Sequence, residues 1–336
     1  MLNRFYFFSL VLFLGMGATA ISQAQNSSLT GKIICLDPGH GGTAETDSYR
    51  VGPSGEREEW VNLRVSLLLK EMLEEKGAKV IMTRTGDDDI SLSNRAKFAK
   101  DNKADLFLSI HHNATADPDV NFPIIYFNGN LSENKASVAL GQEIGKAFIQ
   151  HLYNDSTPVS VVSDYTIFPE NGTAVLGGTY GIPGVVAEAS FFTNPAEEGR
   201  LKQFEHNRQE SLGYLKTLEV FFKKPVPPIL EKNSKIKIPP FRVFQEAERM
   251  NETARLWYVD FLKGKELMKQ KEPGYLQEAY ERFTRSARSF PDSYIAAECH
   301  KYRAVILKKL GKPEDAKQTE KMVREYFLLV DNNISR

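Results

Sequence analysis

The chain has 336 residues, 41% hydrophobic and 26% charged, enough to bury a full core and to divide into two domains, and too apolar for wholesale disorder. Lys plus Arg and Asp plus Glu both number 43, so no net field recommends a nucleic-acid partner, and none is expected. Only two cysteines are present, Cys35 in an apolar run and Cys299 in a helical stretch, so a disulfide framework is not expected.

Residues 1–24 read as an export signal, with Arg4 ahead of an apolar run from Phe5 to Ala20 and Ser22-Gln23-Ala24 as a small-x-small cleavage site. The run is about 16 residues, shorter than the roughly 20 that a membrane span prefers. No cysteine follows the cleavage site to carry a lipid. The mature protein is therefore expected to begin at Gln25, to keep no stable membrane span, and to be periplasmic, cell-wall associated or secreted.

Beyond the signal, residues 32–37, 78–84, 105–110, 122–127 and 184–188 are short apolar runs, with segments of helical period between them. That alternation predicts an α/β sheet with helices on its faces. In the first helix Val61, Val65, Leu68, Leu69 and Met72 form one stripe, and Gly77 supplies the stop. Residues 132–153 and 196–222 read as two further long helices. Residues 154–180, rich in Ser, Thr, Gly and Pro, read as a long loop region over the cleft. Together these predict a catalytic-type domain over residues 30–223.

The composition then shifts. Pro225, Pro227, Pro228, Pro239 and Pro240 bracket a Lys-rich stretch that cannot be one helix, so residues 224–242 read as a semi-rigid linker. Residues 243–336 read as a separate all-helical domain. There Ala279, Phe283 and Pro291, then Gly311 and Ala316, fall at the spacings of a tetratricopeptide-like array of about two repeats, whose first helix covers residues 256–270. The alternative is a helical bundle that caps the first domain. The distal part holds no acid-base or metal-type cluster. It is expected to direct the protein, through a protein partner on its concave face, and a chain ending near Pro225 is expected to fold alone.

Four residues carry the chemistry. His40 follows a strand in Asp37-Pro38-Gly39-His40-Gly41-Gly42, and His111 follows Leu106-Phe107-Leu108-Ser109-Ile110. Glu58 lies in the first turn of the helix after Gly52-Pro53-Ser54-Gly55, and Glu188 ends Val185-Val186-Ala187. Ligand sites in open α/β sheets lie at the carboxyl ends of strands, so the four converge on one edge. Two imidazoles and a carboxylate make a hydrolytic Zn2+ site, with a second carboxylate left as general base. On the residues alone Glu59 rivals Glu58, and His112 rivals His111, although neighbours on a strand face opposite ways. His151, His206 and His300 read as surface or satisfied core residues.

From Lys32 to about Phe222 the chain resembles the zinc-dependent N-acetylmuramoyl-L-alanine amidases of the bacterial cell wall. The motifs that carry the resemblance are Ile33-Ile34-Cys35-Leu36-Asp37-Pro38-Gly39-His40-Gly41-Gly42, Glu58 with Asn62-Leu63, Thr83-Arg84, Asn94-Arg95, Ser109-Ile110-His111-His112-Asn113, and Glu188 leading into Phe192-Thr193-Asn194-Pro195. The resemblance implies a central, mostly parallel sheet of about six strands, one zinc held by His40, Glu58 and His111, and Glu188 as the catalytic carboxylate. The spacing to Asn62-Leu63 chooses Glu58, and Ser-Ile-His chooses His111.

It further implies a peptidoglycan hydrolase that cuts between N-acetylmuramic acid and L-alanine of the stem peptide. His112 and Ser190 depart from the usual small residue and Gly, which bears on substrate preference. Residues 114–121 are too few for the helix that plugs the zinc site in some relatives. Other expectations are a zinc hydrolase acting on another acylated amino acid or peptide, and a non-catalytic peptidoglycan-binding scaffold.

Overall fold

The computed structural model describes residues 27–43, 50–154, 156–233, 236, 241–271 and 274–329. The export signal and part of the linker lie outside the described residues. Seven strands, β1 Ile33–Pro38, β2 Lys79–Met82, β3 Leu106–Asn113, β4 Ile124–Phe127, β5 Ser160–Ser163, β6 Gly184–Phe191 and β7 Phe327–Leu328, form one sheet in the order β2-β1-β3-β6-β4-β5-β7. β2, β1, β3 and β6 run parallel, as do β4 and β5. β4 meets β6, and β7 meets β5, antiparallel.

Because strand side chains alternate, the sheet buries two cores. Ile34 and Leu36 of β1 and Leu106, Leu108 and Ile110 of β3 face α1 (Glu58–Glu75), α3 (Lys135–His151) and α6 (Phe204–Phe221). Val61, Val65 and Leu69 of α1 are fully buried there, while Leu68 and Met72 are half-buried at the edge of the stripe. Cys35, Phe107, Ile124, Tyr126, Val162 and Val186 face the other way. Over them lie α2 (Leu92–Asp101), α4 (Ala174–Gly178) and, across β4 and β5, the distal helices.

Those helices are α7 (Glu246–Arg249), α8 (Trp257–Leu267), α9 (Tyr275–Ser289), α10 (Ala296–Lys309) and α11 (Pro313–Tyr326). Small residues set their spacing: Ala279 and Ala316 are fully buried, and a Cβ on Gly264 would lie 2.8 Å from the Phe283 ring. Trp257, Phe290, Ile295 and Tyr326 share one buried cluster with the sheet residues Tyr126, Val162 and Val186. The distal part is thus the second cover of the sheet and donates its seventh strand.

The structure departs from the sequence reading in three elements. β7 lies in the stretch expected to be all-helical, where its pairing with β5, far away in sequence, leaves no local signal. Residues 154–180, where the composition predicts a loop, contain β5 and α4; Ser-Val-Val-Ser is too short to show a period. The helix expected over residues 196–222 is two, α5 (Pro195–Leu201), capped by Asn194 accepting from the Glu197 amide at 3.0 Å, and α6. Neither Gly nor Pro marks the turn at Lys202 and Gln203.

Candidate metal centre and its pocket

β1 delivers His40 through a loop that two arginines clamp. Arg84 donates to the carbonyls of Pro38 at 2.9 Å, Gly39 at 2.8 Å and Glu59 at 2.7 Å. Arg95 donates to the carbonyls of Pro38 at 2.7 Å and His40 at 2.5 Å, and pairs with the buried Asp37 carboxylate at 2.9 Å. Asp37 also accepts from Thr83 at 2.6 Å and Ser109 at 2.7 Å. His40 sits at φ +58, a region that costs a non-glycine residue energy and that this clamp maintains. Gly39 is required by proximity, since a Cβ there would lie 2.2 Å from the His111 ring.

Glu58 enters from the first turn of α1. The loop before it is held by Glu198 of α5, whose carboxylate accepts from the Ser54 amide at 2.8 Å and the Glu56 amide at 2.9 Å. Glu58 is 3% exposed. Its Oε2 lies 3.1 Å from His40 Nε2, its Oε1 lies 3.0 Å from His111 Nδ1, and Asn62 donates to Oε1 at 3.1 Å. Burial favours the neutral acid, but the two imidazoles outweigh it and hold the carboxyl well below its ordinary range. Burial, with His111 and Arg50 nearby, pushes His40 down to about 4 against the pull of Glu58. At neutral pH the cluster therefore offers a neutral His40 and an ionised Glu58, the forms that bind metal.

The ligand-type atoms of His40, Glu58 and His111 all lie within 4.8 Å of one another, and no other three such side chains converge in this way among the described residues. The rivals turn elsewhere. Glu59 is buried and ion-paired with Arg57. The His112 ring faces α6, with Nδ1 2.8 Å from Asn62 Oδ1 and Nε2 3.1 Å from Glu210 Oε2. Burial opposes its charged form, and Glu210 outweighs burial and raises the His112 pKa. Of the remaining histidines, His206 meets Glu197 at 3.2 Å and the buried His300 meets Arg303 at 2.8 Å.

Glu188 stands beside His111 in the β3 and β6 register. With His40 and His111 it lines a cavity of about 830 Å³. Two arginines of this cavity escaped the sequence reading. Arg50 contacts His40 Nδ1, and Arg249 comes from the distal part; neither lies in a motif or on a strand that would have flagged it.

The wall over the cavity is held by Asp164, which accepts from Asn128 at 2.9 Å and the Thr173 amide at 2.7 Å. Burial pushes its carboxyl up from 3.8 to about 6. A raised pKa means that the folded state holds the proton more tightly. The associated stability, on the order of 3 kcal/mol, is full below the unfolded value and is lost as pH rises through about 6. Asp164→Asn should accordingly gain thermal stability over wild type between pH 4 and pH 7. A melting difference that stays flat with pH would remove Asp164 from this account.

A His, Glu, His cluster with a further Glu, set around the carboxyl-terminal halves of two adjacent strands of an open sheet, is an arrangement for hydrolysis. A family model described as N-acetylmuramoyl-L-alanine amidase matches residues 34–218, more than half of the chain, and the chain belongs to that family. It is 28% identical over 186 residues to N-acetylmuramoyl-L-alanine amidase LytC of Bacillus subtilis, covering 55% of this chain and 34% of LytC. It is 28% identical over 198 residues to the probable cell wall amidase LytH of Staphylococcus aureus, covering 59% of this chain and 61% of LytH. The chain thus spans less than two thirds of either relative. The CwlD amidase from Clostridioides difficile, solved in complex with the GerS lipoprotein, shares the fold with a TM-score of 0.50 at 22% identity, over 57% of this chain and 99% of CwlD.

Proposed function

We propose that the protein is a zinc-dependent peptidoglycan amidase that hydrolyses the bond between N-acetylmuramic acid and L-alanine. The observation that carries this reading is the His40, Glu58 and His111 cluster beside Glu188, inside the region that matches the family. A neutral imidazole and an ionised carboxylate with converging donor atoms suit Zn2+, so these three residues would hold it. When bound, zinc acidifies water and stabilises negative charge on the substrate carbonyl. Glu188 takes a proton from the attacking water and returns it to the leaving amine, which departs as the free peptide. Asn62 orients Glu58, while the Arg84 and Arg95 clamp keeps the His40 loop in its strained form before substrate arrives.

On the same reading the protein is exported and acts at the cell wall, and a partner docks on the distal helices. No helix among the described residues is long and apolar enough to cross a membrane.

The test is Glu188→Gln, which keeps the side chain's shape and removes the base. Zinc content and fold should be retained, and turnover on purified peptidoglycan should fall by about 10² to 10⁴. Mass spectrometry of the products identifies the bond cut. Near-normal release of stem peptide by the zinc-loaded variant would assign the base to another residue.

A further inference from the structure

The cavity that contains His40, His111 and Glu188 is closed on one side by chain from beyond the linker. Gln245, Ala247 and Arg249 line it together with Ile90, Phe168 and Val186. Their position is locked at a buried joint. Asp292, fully buried, accepts from the Tyr126 hydroxyl of β4 and pairs with Arg249, and its carbonyl accepts from Ser160 of β5 at 2.6 Å. The Arg249 carbonyl accepts from the Ala116 amide at 3.0 Å, and its guanidinium lies 4.9 Å from the Phe290 ring centre. Tyr126 pairs in register with Val186, two residues before Glu188.

An ion pair this deeply buried is a poor way to glue two surfaces, because apolar residues of the same size would serve as well or better. Arg249 moreover lies in the cavity lining, not behind it. A guanidinium carries five N–H donors on a planar fork, so it can hold Asp292 and a second carboxylate together. The acid on the cavity floor, Asp37, is occupied by Arg95, Thr83 and Ser109. In the proposed substrate the lactyl carboxyl is consumed in the amide, which leaves the uncharged glycan half with no carboxylate. The N–H donors of Arg249 that Asp292 leaves over therefore suit a carboxylate of the peptide half.

We propose that the distal segment completes the substrate site, and that α7 with Arg249 forms a subsite for a carboxylate of the peptide. The proposal rests on the amidase reading for its substrate. Its test uses the full mature protein with a soluble muramoyl-peptide acid and the same compound with its peptide carboxylates converted to amides. Wild type should show a lower KM for the acid. Arg249→Gln should raise KM for the acid by about tenfold, the scale of one charge-assisted hydrogen bond, erase the preference for acid over amide, and change kcat little.

Since Arg249 also holds Asp292, a second pair of variants at the exposed Ala247 leaves the joint intact. Ala247→Glu should raise KM for the acid and Ala247→Lys should lower it. Equal KM values for acid and amide in wild type, or Ala247 variants that shift KM in the same direction, would overturn the subsite. Calorimetric binding of the free peptide acid and its amide to wild type reads the subsite without hydrolysis. A protein that prefers the acid but cleaves neither compound would sink the amidase reading and leave the subsite standing.

Discussion

Glu58→Ala is expected to leave the protein without firmly held zinc and without measurable hydrolysis. The carboxylate lies between the two imidazoles, 3.1 Å from one and 3.0 Å from the other, and its removal takes away the only negative charge of the donor set. Three protein ligands are the minimum of a catalytic zinc site, so none is redundant. His40→Ala and His111→Ala should behave alike. Metal analysis and far-ultraviolet circular dichroism of each purified variant form the check. Full zinc occupancy in a folded Glu58→Ala protein would mean that this cluster is not the metal site.

The second large effect is expected from shortening the chain. A protein ending near Pro225 should be insoluble or unfolded, because half of one sheet face would lose its cover. Phe122, Ile124, Tyr126, Val162, Val186 and Phe191 are all buried in the cluster that the distal helices complete. Phe122 and Phe191 pack within 5.7 Å and 6.0 Å of the Phe290 ring. At about 1.5–3 kcal/mol for each large side chain returned to water, the loss is on the order of 10 kcal/mol. That is comparable with the whole net stability of a domain. Sequence alone suggests the opposite, a detachable targeting domain. A soluble truncated protein that cleaves small muropeptides at the full rate would restore that view and remove the distal subsite as well.

What was legible in the chain follows physical rules. His40, His111 and Glu188 could be found because each ends an apolar run, and Glu58 because it opens a helix after a glycine turn. The motif spacing then separated Glu58 from Glu59 and His111 from His112, and the structure turns both rivals away from the cluster. β5 was hidden because two valines between serines carry no period. Arg249 was hidden because its place at the cavity depends on Asp292 and Tyr126, neither of which is local to it in sequence. The prolines of residues 224–242 gave no sign that the chain beyond them returns to the sheet.

That return bears on how the molecule assembles. Val161 of β5 pairs with Leu328, and Val162 with Phe327, so this flank of the sheet is sealed by residues half a chain away. Such a pairing carries a large loop-closure cost and raises the mean sequence separation of contacts, which slows folding. Until it forms, β5 is an open edge of Ser-Val-Val-Ser that can template strands of other molecules. The protein should thus refold slowly and with a yield that drops as concentration rises, and proteolysis of early intermediates should cut the distal helices before the strands β1, β3 and β6.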